Sequence, residues 1–599
     1  MTTIEERTGA EEVSWDLSDL YSGVDDPKLD EDAAGAARDA AAFRERYHGK
    51  VAGLSAAELA DATAELERIE SAFDRAITYA HLHFTTNMAD PERGALLSKL
   101  KEQGAAIETD LLFFGLEWAA TEDGTAAAIL ADPAVEHYRH WLDSVRRYRP
   151  YLLTEPEEKI VTEKSVSGSS AWSRLHSELL SALRVTIDGE EVSTEVALSR
   201  LYRPDRDVRR ETAEAVSAAL EPGVRTRAYV YNTILLDKSI DDRLRGYPTW
   251  ISSRNLSNEA TDEAVQALID AVVSRYDVPQ RYYSLKAKLL GLDRIAHFDR
   301  FAPVAEGGGR TSWEEARSVV VGAYSEFDEE VGSIVDGFFT KSWIDAPVRQ
   351  DKSTGAFCAT TIPGVHPYVL MNYTGERRAI LTLAHELGHG LHGVLAQPLG
   401  LFNASTTLTA AETASVFGEA LTFKRLLAAE DDPRRKLDLL TGRIEDAIAT
   451  TFRQVSMNRF EDAAHNERRS VGELSTDRLA EIWLEAQTAL FGDSVVVDGY
   501  GIWWSYIPHF ASTPGYVYAY AYGYLFALSI FRLYELEGDA MVEPYLELLK
   551  LGGSRSPSDL AKVVGLDLDD PAIWSSGIDA LAVELDEAER IATEMGLAG

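Results

Sequence analysis

The sequence of 599 residues predicts a mainly α-helical fold with one small β-sheet. Apolar residues recur at spacings of three and four over most of the chain, as on the buried face of a helix. Clear strand signals are confined to residues 355–373, where β-branched and aromatic residues flank a turn. A composition of 45% hydrophobic and 26% charged residues is that of a folded globular protein.

The first 190 or so residues predict long helices. Ser55 and Glu58 form a capping-box pattern, and apolar residues follow it at helical spacing: Leu59, Ala62, Leu66, Ile69, Phe73 and Ile77. The short polar stretch "IDGEEVS" at 187–193 predicts a turn at a lobe boundary. We therefore divide the chain into an N-terminal helical lobe, residues 1–195, and a second domain, residues 196–599.

Two short strands and a helix are predicted in direct succession. "GAFCATT" (355–361) and "HPYVLMNY" (366–373) have strand composition, and Ile362-Pro363-Gly364 joins them with a turn. The helix that follows carries acidic Glu376 in its first turn, and Pro398 ends it.

This helix contains the stretch "AHELGHGLH" at 384–392, in a chain with only 13 histidines. His385 and His389 are four residues apart, so both imidazoles lie on one helical face with Glu386 beside them. Zinc binds imidazole nitrogen readily, and a catalytic zinc site uses three protein ligands. The competing interpretation is a buried helix whose histidines find ordinary hydrogen-bond partners, and the combined spacing favours the metal site.

The third ligand is predicted downstream of the motif. Residues 390–411 contain no Asp or Glu, and the first acid is Glu412 in "ETASVFGEALTF". A helix over Thr409–Arg425 would place Glu412, Ser415 and Glu419 on one face. Ser415 and Glu419 are then candidates to orient the metal ligands through hydrogen bonds.

Other residues of the motif receive different predictions. A metzincin site needs Gly at 392 and His at 395, and this chain has His392 and Leu395. We expect His392 to pack in the core or to contact a ligand rather than to bind the metal. Glycines 388, 390 and 393 each weaken a helix, which predicts that other parts of the chain pack very close to it.

These parts predict a hydrolytic mechanism. Zinc lowers the pKa of a bound water toward about 7, Glu386 accepts its proton as general base, and a donor stabilises the oxyanion. The segment "IPHFASTPGYVYAYAYGYLF" offers His509 and Tyr516 as the preferred donors, then Tyr520 and Tyr524. Helical spacing places the last three on one face, although at least half of the tyrosines in this segment are expected to be core residues.

Bulk properties limit the partners. With 98 acidic against 59 basic residues the net charge is -39, which disfavours nucleic acid and anionic membranes; a solvated acidic surface, kept for solubility or high salt, is the simpler interpretation. One cysteine, Cys358, fits a reducing compartment. The first residues lack a signal-peptide pattern, so we expect a cytoplasmic protein, with export by another route as the alternative.

Motifs along nearly the whole chain resemble the oligoendopeptidase F group of the M3 (thimet oligopeptidase-like) metallopeptidases. The matching pieces are "SWDLSDLYSG", "GAFC", "PYVLMNY", "LAHELGHGLHG", "ETASVFGEALTF", "PHF" with its following tyrosines, and "LLKLGGSRSPSDLAKVVGLDLDDPAIW". The tyrosine spacing after His509 needs a gap to align with thimet-type members. The identity of the donor tyrosine therefore stays open.

The resemblance implies a two-lobed helical clamp around a deep channel, with a zincin-like fold of the gluzincin type and the small sheet next to the zinc helix. Residues 196–599 would be the catalytic domain, with one zinc ion held by His385, His389 and Glu412. His509 and one or more of the tyrosines after it would bind the substrate carbonyl or oxyanion. The strand before the zinc helix would pair with the backbone of a short peptide substrate.

The sequence therefore predicts a zinc-dependent endopeptidase that hydrolyses internal bonds of short oligopeptides. Two alternatives remain: a helical zinc carboxypeptidase that uses the same residues, and a non-catalytic peptide-binding clamp. Another divalent ion is compatible with the same ligands. The sequence does not predict the oligomeric state.

Overall fold

The computed structural model describes residues 7–304 and 310–597. The helices are α1 (Pro27–Tyr47), α2 (Ala56–Thr85), α3 (Pro91–Ala120), α4 (Asp123–Leu130), α5 (Arg139–Arg147), α6 (Glu155–Ser165), α7 (Ser169–Ser181), α8 (Thr194–Ser199), α9 (Arg206–Leu220), α10 (Val224–Arg245), α11 (Ser252–Ser257), α12 (Asp262–Ser274), α13 (Asp277–Leu289), α14 (Trp313–Phe327), α15 (Glu329–Thr340), α16 (Arg377–Ala396), α17 (Leu401–Ala404), α18 (Leu408–Ala429), α19 (Pro433–Ala447), α20 (Arg453–Ser470), α21 (Thr476–Phe491), α22 (His509–Ser512), α23 (Tyr518–Glu537), α24 (Val542–Lys550), α25 (Pro557–Val563) and α26 (Pro571–Glu594). The strands are β1 (Arg184–Ile187), β2 (Glu190–Ser193), β3 (Ile295–Ala296), β4 (Ile344–Asp345), β5 (Phe357–Ala359), β6 (Tyr368–Leu370) and β7 (Val495–Val496). The predicted mainly helical fold with little sheet is confirmed.

The chain forms two compact units, each assembled from three segments. The first unit comprises Met1–Arg149, Gly308–Ala429 and Ile530–Asp567, and the second comprises Pro150–Gly307, Glu430–Ser529 and Leu568–Gly599. The lobe boundary at residue 195 stays a prediction. Within the described residues, none of the helices is both long enough and apolar enough to cross a membrane.

The N-terminal helices of the first unit form as their sequence predicts. Ser55 caps α2, and Glu58 returns a hydrogen bond to the backbone of Ser55, which satisfies amide groups that have no partner inside the helix. The predicted stripe from Leu59 to Phe73 is buried, while Ile77 is partly exposed. Such burial provides most of the stability of a long helix.

The predicted strands before the metal-motif helix belong to a three-stranded sheet of order β4-β6-β5. Central strand β6 is fully buried, as its continuous apolar run Tyr368–Leu370 requires. Strand β5 pairs with it antiparallel, with Cys358 opposite Val369, and lies at the edge of the sheet. A short connection then leads into α16, so the predicted order of strand, turn and helix is confirmed.

In the second unit, the stretch predicted only as a polar turn is a complete β-hairpin. Strands β1 and β2 pair antiparallel through a two-residue turn, Asp188-Gly189, in which both residues have positive φ. This is the Asp-Gly turn geometry typical of tight hairpins. The flanking strands escaped prediction because β1 and β2 are only four residues long and just Val185 and Ile187 are buried.

Candidate active site

Helix α16 carries the His-Glu-x-x-His motif in the first unit. Glu376 is the residue before its first turn and makes no side-chain cap, so its predicted place inside the first turn is wrong by one position. The helix ends at Ala396, two residues before Pro398, because proline cannot continue the hydrogen-bond ladder. The predicted helix over 409–425 is α18, which spans Leu408–Ala429.

Helices α16 and α18 approach closely because α16 lacks side chains at the contact. A Cβ atom on Gly388 would lie 2.4 Å from the carbonyl oxygen of Ala414. One on Gly390 would lie 2.5 Å from the ring of Phe338, and one on Gly393 would lie 2.7 Å from Cγ of Pro367. The predicted close packing around these glycines is confirmed, and it fixes the backbone of both helices that carry the site.

Three predicted ligands converge between these helices. A ring nitrogen of His385, a ring nitrogen of His389 and a carboxylate oxygen of Glu412 all lie within 4.8 Å of one another. Glu412 Oε2 is 3.3 Å from His385 Nε2 and 3.6 Å from His389 Nε2. Two imidazoles and one carboxylate are a donor set that zinc accepts, so these residues fit such an ion.

The two residues predicted to orient the ligands contact them directly. The hydroxyl of Ser415 donates to Glu412 Oε2 at 2.6 Å. Glu419 Oε2 lies 3.3 Å from His385 Nδ1, which leaves Nε2 of the same ring directed at Glu412. A carboxylate on one ring nitrogen fixes the tautomer in which the other can bind a metal.

The charges of the site interact strongly. Burial alone would lower the pKa of His385, but the hydrogen bond with Glu419 and the charge of Glu412 raise it to about 9. Burial lowers the pKa of His389 to about 4 despite the opposing charge of Glu412. Burial opposes ionisation of Glu412, but the charges of the two histidines lower its pKa. The group therefore holds a cationic charge between carboxylates, and a divalent cation would displace that proton on binding.

Glu386 follows the first predicted ligand, His385, on α16. Its side chain is buried, and Oε2 makes no hydrogen bond within the described residues. Burial and, to a smaller extent, the charge of Glu412 raise the pKa of Glu386 to about 7. The charge of His385 and the backbone amide of Cys358 act in the opposite direction. A carboxyl group with a pKa near neutrality can both accept and return a proton.

His392 lies one turn beyond His389 and is not one of the three converging groups. It is buried, and its Nε2 has no hydrogen-bond partner within the described residues. Burial and the nearby His389 lower the pKa of His392 to about 4, so its ring is neutral near pH 7. A cavity of about 400 Å³ adjoins His392, His389 and Glu386.

The predicted oxyanion donors form a group of their own in the second unit. The ring of His509 stacks on Tyr516 with a centroid distance of 6.0 Å, and His509 Nε2 is 3.3 Å from the hydroxyl of Tyr520. The prediction that Tyr516 shares a helical face with Tyr520 and Tyr524 is wrong, because α23 begins only at Tyr518. Gly515, with φ of 74°, has a left-handed backbone conformation that interrupts helical geometry just before α23.

The other tyrosines of this segment are core residues, as expected for half of them. Tyr518 accepts a hydrogen bond from Asn258, and Tyr522 packs against Trp574. Tyr524 is buried, and the guanidinium of Arg443 lies 5.8 Å from the centre of its ring.

Sequence reasoning missed Tyr324 on α14, which contacts the backbone of α16 next to the site. Its hydroxyl donates to the carbonyl oxygen of Ala384 at 2.8 Å, next to the first ligand. A Cβ on Gly418 would lie only 1.7 Å from that hydroxyl, so glycine is required on α18 there. The available signal was Gly418, a glycine inside the predicted helix between Glu412 and Glu419. A glycine weakens a helix, so its presence indicates that another part of the chain approaches the helix closely there.

The chain is similar to known peptidases over most of its length. The sequence pattern of Peptidase family M3 matches residues 310–579, and the pattern named Oligopeptidase F matches residues 117–184. Oligopeptidase PepF of Bacillus subtilis is 27% identical over 91% of this chain and 82% of its own length. An oligoendopeptidase F homolog of Borreliella burgdorferi is 26% identical over 86% of this chain and 88% of its own.

A solved structure gives the same result for the fold. The crystal structure of oligoendopeptidase-F from Enterococcus faecium superposes with a TM-score of 0.73 and 21% identity, over 94% of this chain and 99% of that one. The site lies inside the part of the chain that the M3 pattern covers. The chain belongs to peptidase family M3, in its oligopeptidase F group, and is a metalloendopeptidase.

Proposed function

We propose that this protein hydrolyses internal peptide bonds of short oligopeptides with one zinc ion and Glu386 as general base. The observation that carries the proposal is the convergence of one nitrogen from His385, one from His389 and one oxygen from Glu412, with Glu386 adjoining them. Names of the relatives, oligopeptidase and oligoendopeptidase, support a short peptide as the substrate.

The donor set supports zinc. Three ligands from the protein leave an open position, as in catalytic rather than structural zinc sites. When bound, zinc would activate a water molecule and polarise the scissile carbonyl. Ser415 and Glu419 hold two of the three ligands in place before any ion arrives.

Glu386 would move the proton. Its free Oε2 accepts a proton from the attacking water, and the same carboxyl group then donates it to the leaving amine nitrogen. His509 and Tyr516 would donate hydrogen bonds to the carbonyl oxygen as it gains negative charge, with Tyr520 as the next candidate. Tyr524, the other tyrosine considered from the sequence, is a buried core residue and is not proposed as a donor. Edge strand β5 would pair with the peptide backbone, because an edge strand offers unpaired amide and carbonyl groups.

The compartment is part of the proposal. The single cysteine, Cys358, is unpaired, which fits a reducing cytoplasm. The large negative charge gives no support to nucleic acid or anionic lipid as a partner.

The test uses an internally quenched peptide blocked at both ends, with products mapped by mass spectrometry. We expect cleavage at internal bonds, loss of activity with a chelator, and recovery with zinc. Glu386→Gln should lower kcat by about 10³-fold while it retains zinc, because the ligands are unchanged. Glu376→Gln, at the exposed start of the same helix, is the matched control and should behave as wild type.

Full activity in Glu386→Gln would overturn the role of the base. Failure on peptides with a C-terminal amide would indicate a carboxypeptidase. Tight peptide binding without turnover, with zinc present, would indicate a non-catalytic clamp.

A further inference from the structure

The cavity beside Glu386 has a definite shape and is built entirely within the first unit. Its volume is about 400 Å³. One wall is α16 from Glu386 to Gly393, another is edge strand β5, and a third is the loop of Ser405 and Thr406. Seven residues of helix separate the two ends of the α16 wall, which corresponds to a length of about 10 Å.

Most of the residues that line the cavity are uncharged. Alanine and glycine leave most of the space, and the hydroxyls of Thr360, Ser405 and Thr406 supply polar atoms. Among the described residues that line the cavity, Glu386 is the only carboxylate and none is a lysine or arginine. An acidic side chain would meet no cation and would be repelled by Glu386.

His392 adds a second polar atom without a partner to this wall, after Glu386 Oε2. His392 is 7% exposed and lines the cavity, and its buried Nε2 makes no hydrogen bond in the part of the chain that the structure describes. A buried polar atom left unpaired costs free energy, and a ligand group that pairs with it recovers that cost. The cavity therefore favours an occupant that carries a hydrogen-bonding group.

The loop wall is held in place by the pair Gly552-Gly553 in the stretch "LGGS". The amide of Gly553 donates to the carbonyl oxygen of Asn403 at 2.7 Å, and a Cβ on Gly553 would lie 1.9 Å from the carbonyl oxygen of Ser405. The side-chain amide of Asn403 donates to the backbone of His137 at 2.8 Å. The cavity is thus preformed, which reduces the cost of binding.

We propose that this cavity receives the side chain of the substrate residue next to the scissile bond and selects a large aromatic residue with a polar tip, tyrosine above all. The position follows from Glu386 and His389, which line both the cavity and the reaction site. The length of the α16 wall suits an aromatic ring, and His392 pairs with the phenolic hydroxyl as donor or acceptor. This inference rests on the proposed peptidase function and adds its side-chain preference.

The first experiment uses peptides that differ only at the residue on each side of the cleaved bond. At one of these two positions, kcat/KM should fall in the order Tyr, Phe, Ala, Glu. Tyr should exceed Phe by about 5-fold, the worth of one hydrogen bond. His392→Leu should abolish the preference for Tyr over Phe but keep the preference for Phe over Ala. His392→Gln, which can still form the hydrogen bond, should keep the preference for Tyr over Phe.

The second experiment fills the cavity. Ala404→Leu and, independently, Thr406→Leu should lower the ratio of kcat/KM for Tyr to that for Ala by about 10-fold or more, because a leucine removes the space for a ring. Ala41→Leu, on the exposed face of α1, is the matched control for added bulk and should leave the ratio unchanged.

Binding measurements separate this inference from the proposed function. The affinities of the Tyr, Phe and Ala peptides for the Glu386→Gln variant measure the side-chain preference of the cavity even when the variant does not cleave them. Loss of turnover with the Tyr preference intact would overturn the function alone. Equal affinity and equal kcat/KM for Tyr and Ala at both positions, or a Tyr preference unchanged in His392→Leu and in both filling variants, would overturn the role of the cavity.

Discussion

The metal-ligand group and the His509 group are built in different ways. His385, His389 and Glu412 lie on two long helices in close contact, and Ser415 and Glu419 tie the ligands through direct polar contacts. The His509 group lies on a four-residue helix, the turn after it and the first turn of α23, and its members meet through ring contacts of 5.0–6.0 Å and one polar contact of 3.3 Å. Helix geometry fixes the first group, whereas a single turn fixes the second.

That turn depends on one buried carboxyl group. The amide of Gly515 donates to Glu461 Oε1 at 2.9 Å, and a Cβ on Gly515 would lie 3.3 Å from the ring of Trp250. The left-handed conformation of Gly515 adds a requirement for glycine at this place. The placement of Tyr516 therefore follows from residues far away in the sequence.

The largest expected effect is on the helical group. His389→Ala removes one of three ligands, so zinc content should fall and kcat/KM should decrease by about 10³-fold or more. Metal analysis and peptide cleavage check this result. Glu419→Gln, which keeps all three ligands, is the control and should weaken zinc binding by only about 10–100-fold. Unchanged zinc content in His389→Ala would contradict the ligand assignment.

The difference in construction also explains what the sequence could predict. Spacing of four on a helix places His385 and His389 together whatever the rest of the chain does, and the acid-free interval pointed to Glu412, whose carboxylate lies beside them in the structure. The arrangement of His509 with Tyr516 and Tyr520 depends on where α23 begins, which Gly515 and Glu461 decide together. Local spacing does not contain that long-range contact, so helical periodicity was wrongly extended to Tyr516.

The same limit applies to the fold. The capping box of α2 and the strands before α16 have local signals strong enough to be predicted. Two-residue strands such as β3 and β7 pair across about 200 residues and carry no pattern of their own. The hairpin of β1 and β2 did carry an Asp-Gly turn signal, which was interpreted only as a boundary.

The second prediction concerns the contact between α16 and α18. Gly388→Ala places a methyl group against the backbone of Ala414, where no flexible side chain can move aside. We expect a loss of about 2–3 kcal/mol in the free energy of unfolding, measured by urea titration, and weaker zinc binding. Gly35→Ala in α1, whose Cβ would meet only the flexible side chain of Arg38 at 3.9 Å, should instead stabilise by about 0.5–1 kcal/mol. Equal effects of the two variants would contradict the close packing.

The third prediction separates the tyrosines of the second group. The hydroxyl of Tyr520 contacts His509 Nε2, whereas Tyr516 meets His509 by ring stacking and its hydroxyl has no hydrogen-bond partner in the described parts of the chain. We therefore expect Tyr516→Phe to lower kcat by about 10²-fold with little change in KM, as loss of an oxyanion donor does. Tyr520→Phe should cost about 10-fold, because it only frees the ring of His509.

A matched control comes from the same helix. Tyr522→Phe alters a buried core tyrosine that packs on Trp574, and kcat should remain that of wild type. A larger loss of kcat in Tyr520→Phe than in Tyr516→Phe would reverse the assignment of the two residues.

The smallest expected effect is a pH dependence of the free energy of unfolding, caused by Glu461, which holds the turn at Gly515. Burial raises the pKa of Glu461 to about 8, although the amide of Gly515 and the charge of Arg254 lower it. The folded protein thus retains a proton on Glu461 that the unfolded chain releases at lower pH, and the free energy of unfolding falls as the pH rises from about 5 to about 8. The slope from this one group is at most about 1.4 kcal/mol per pH unit. Urea titrations at several pH values should show a flatter slope in Glu461→Gln than in wild type, because glutamine does not ionise. Parallel slopes would show that Glu461 is already ionised in the folded protein, and Tyr516 would then be held by a charged rather than a neutral carboxyl group.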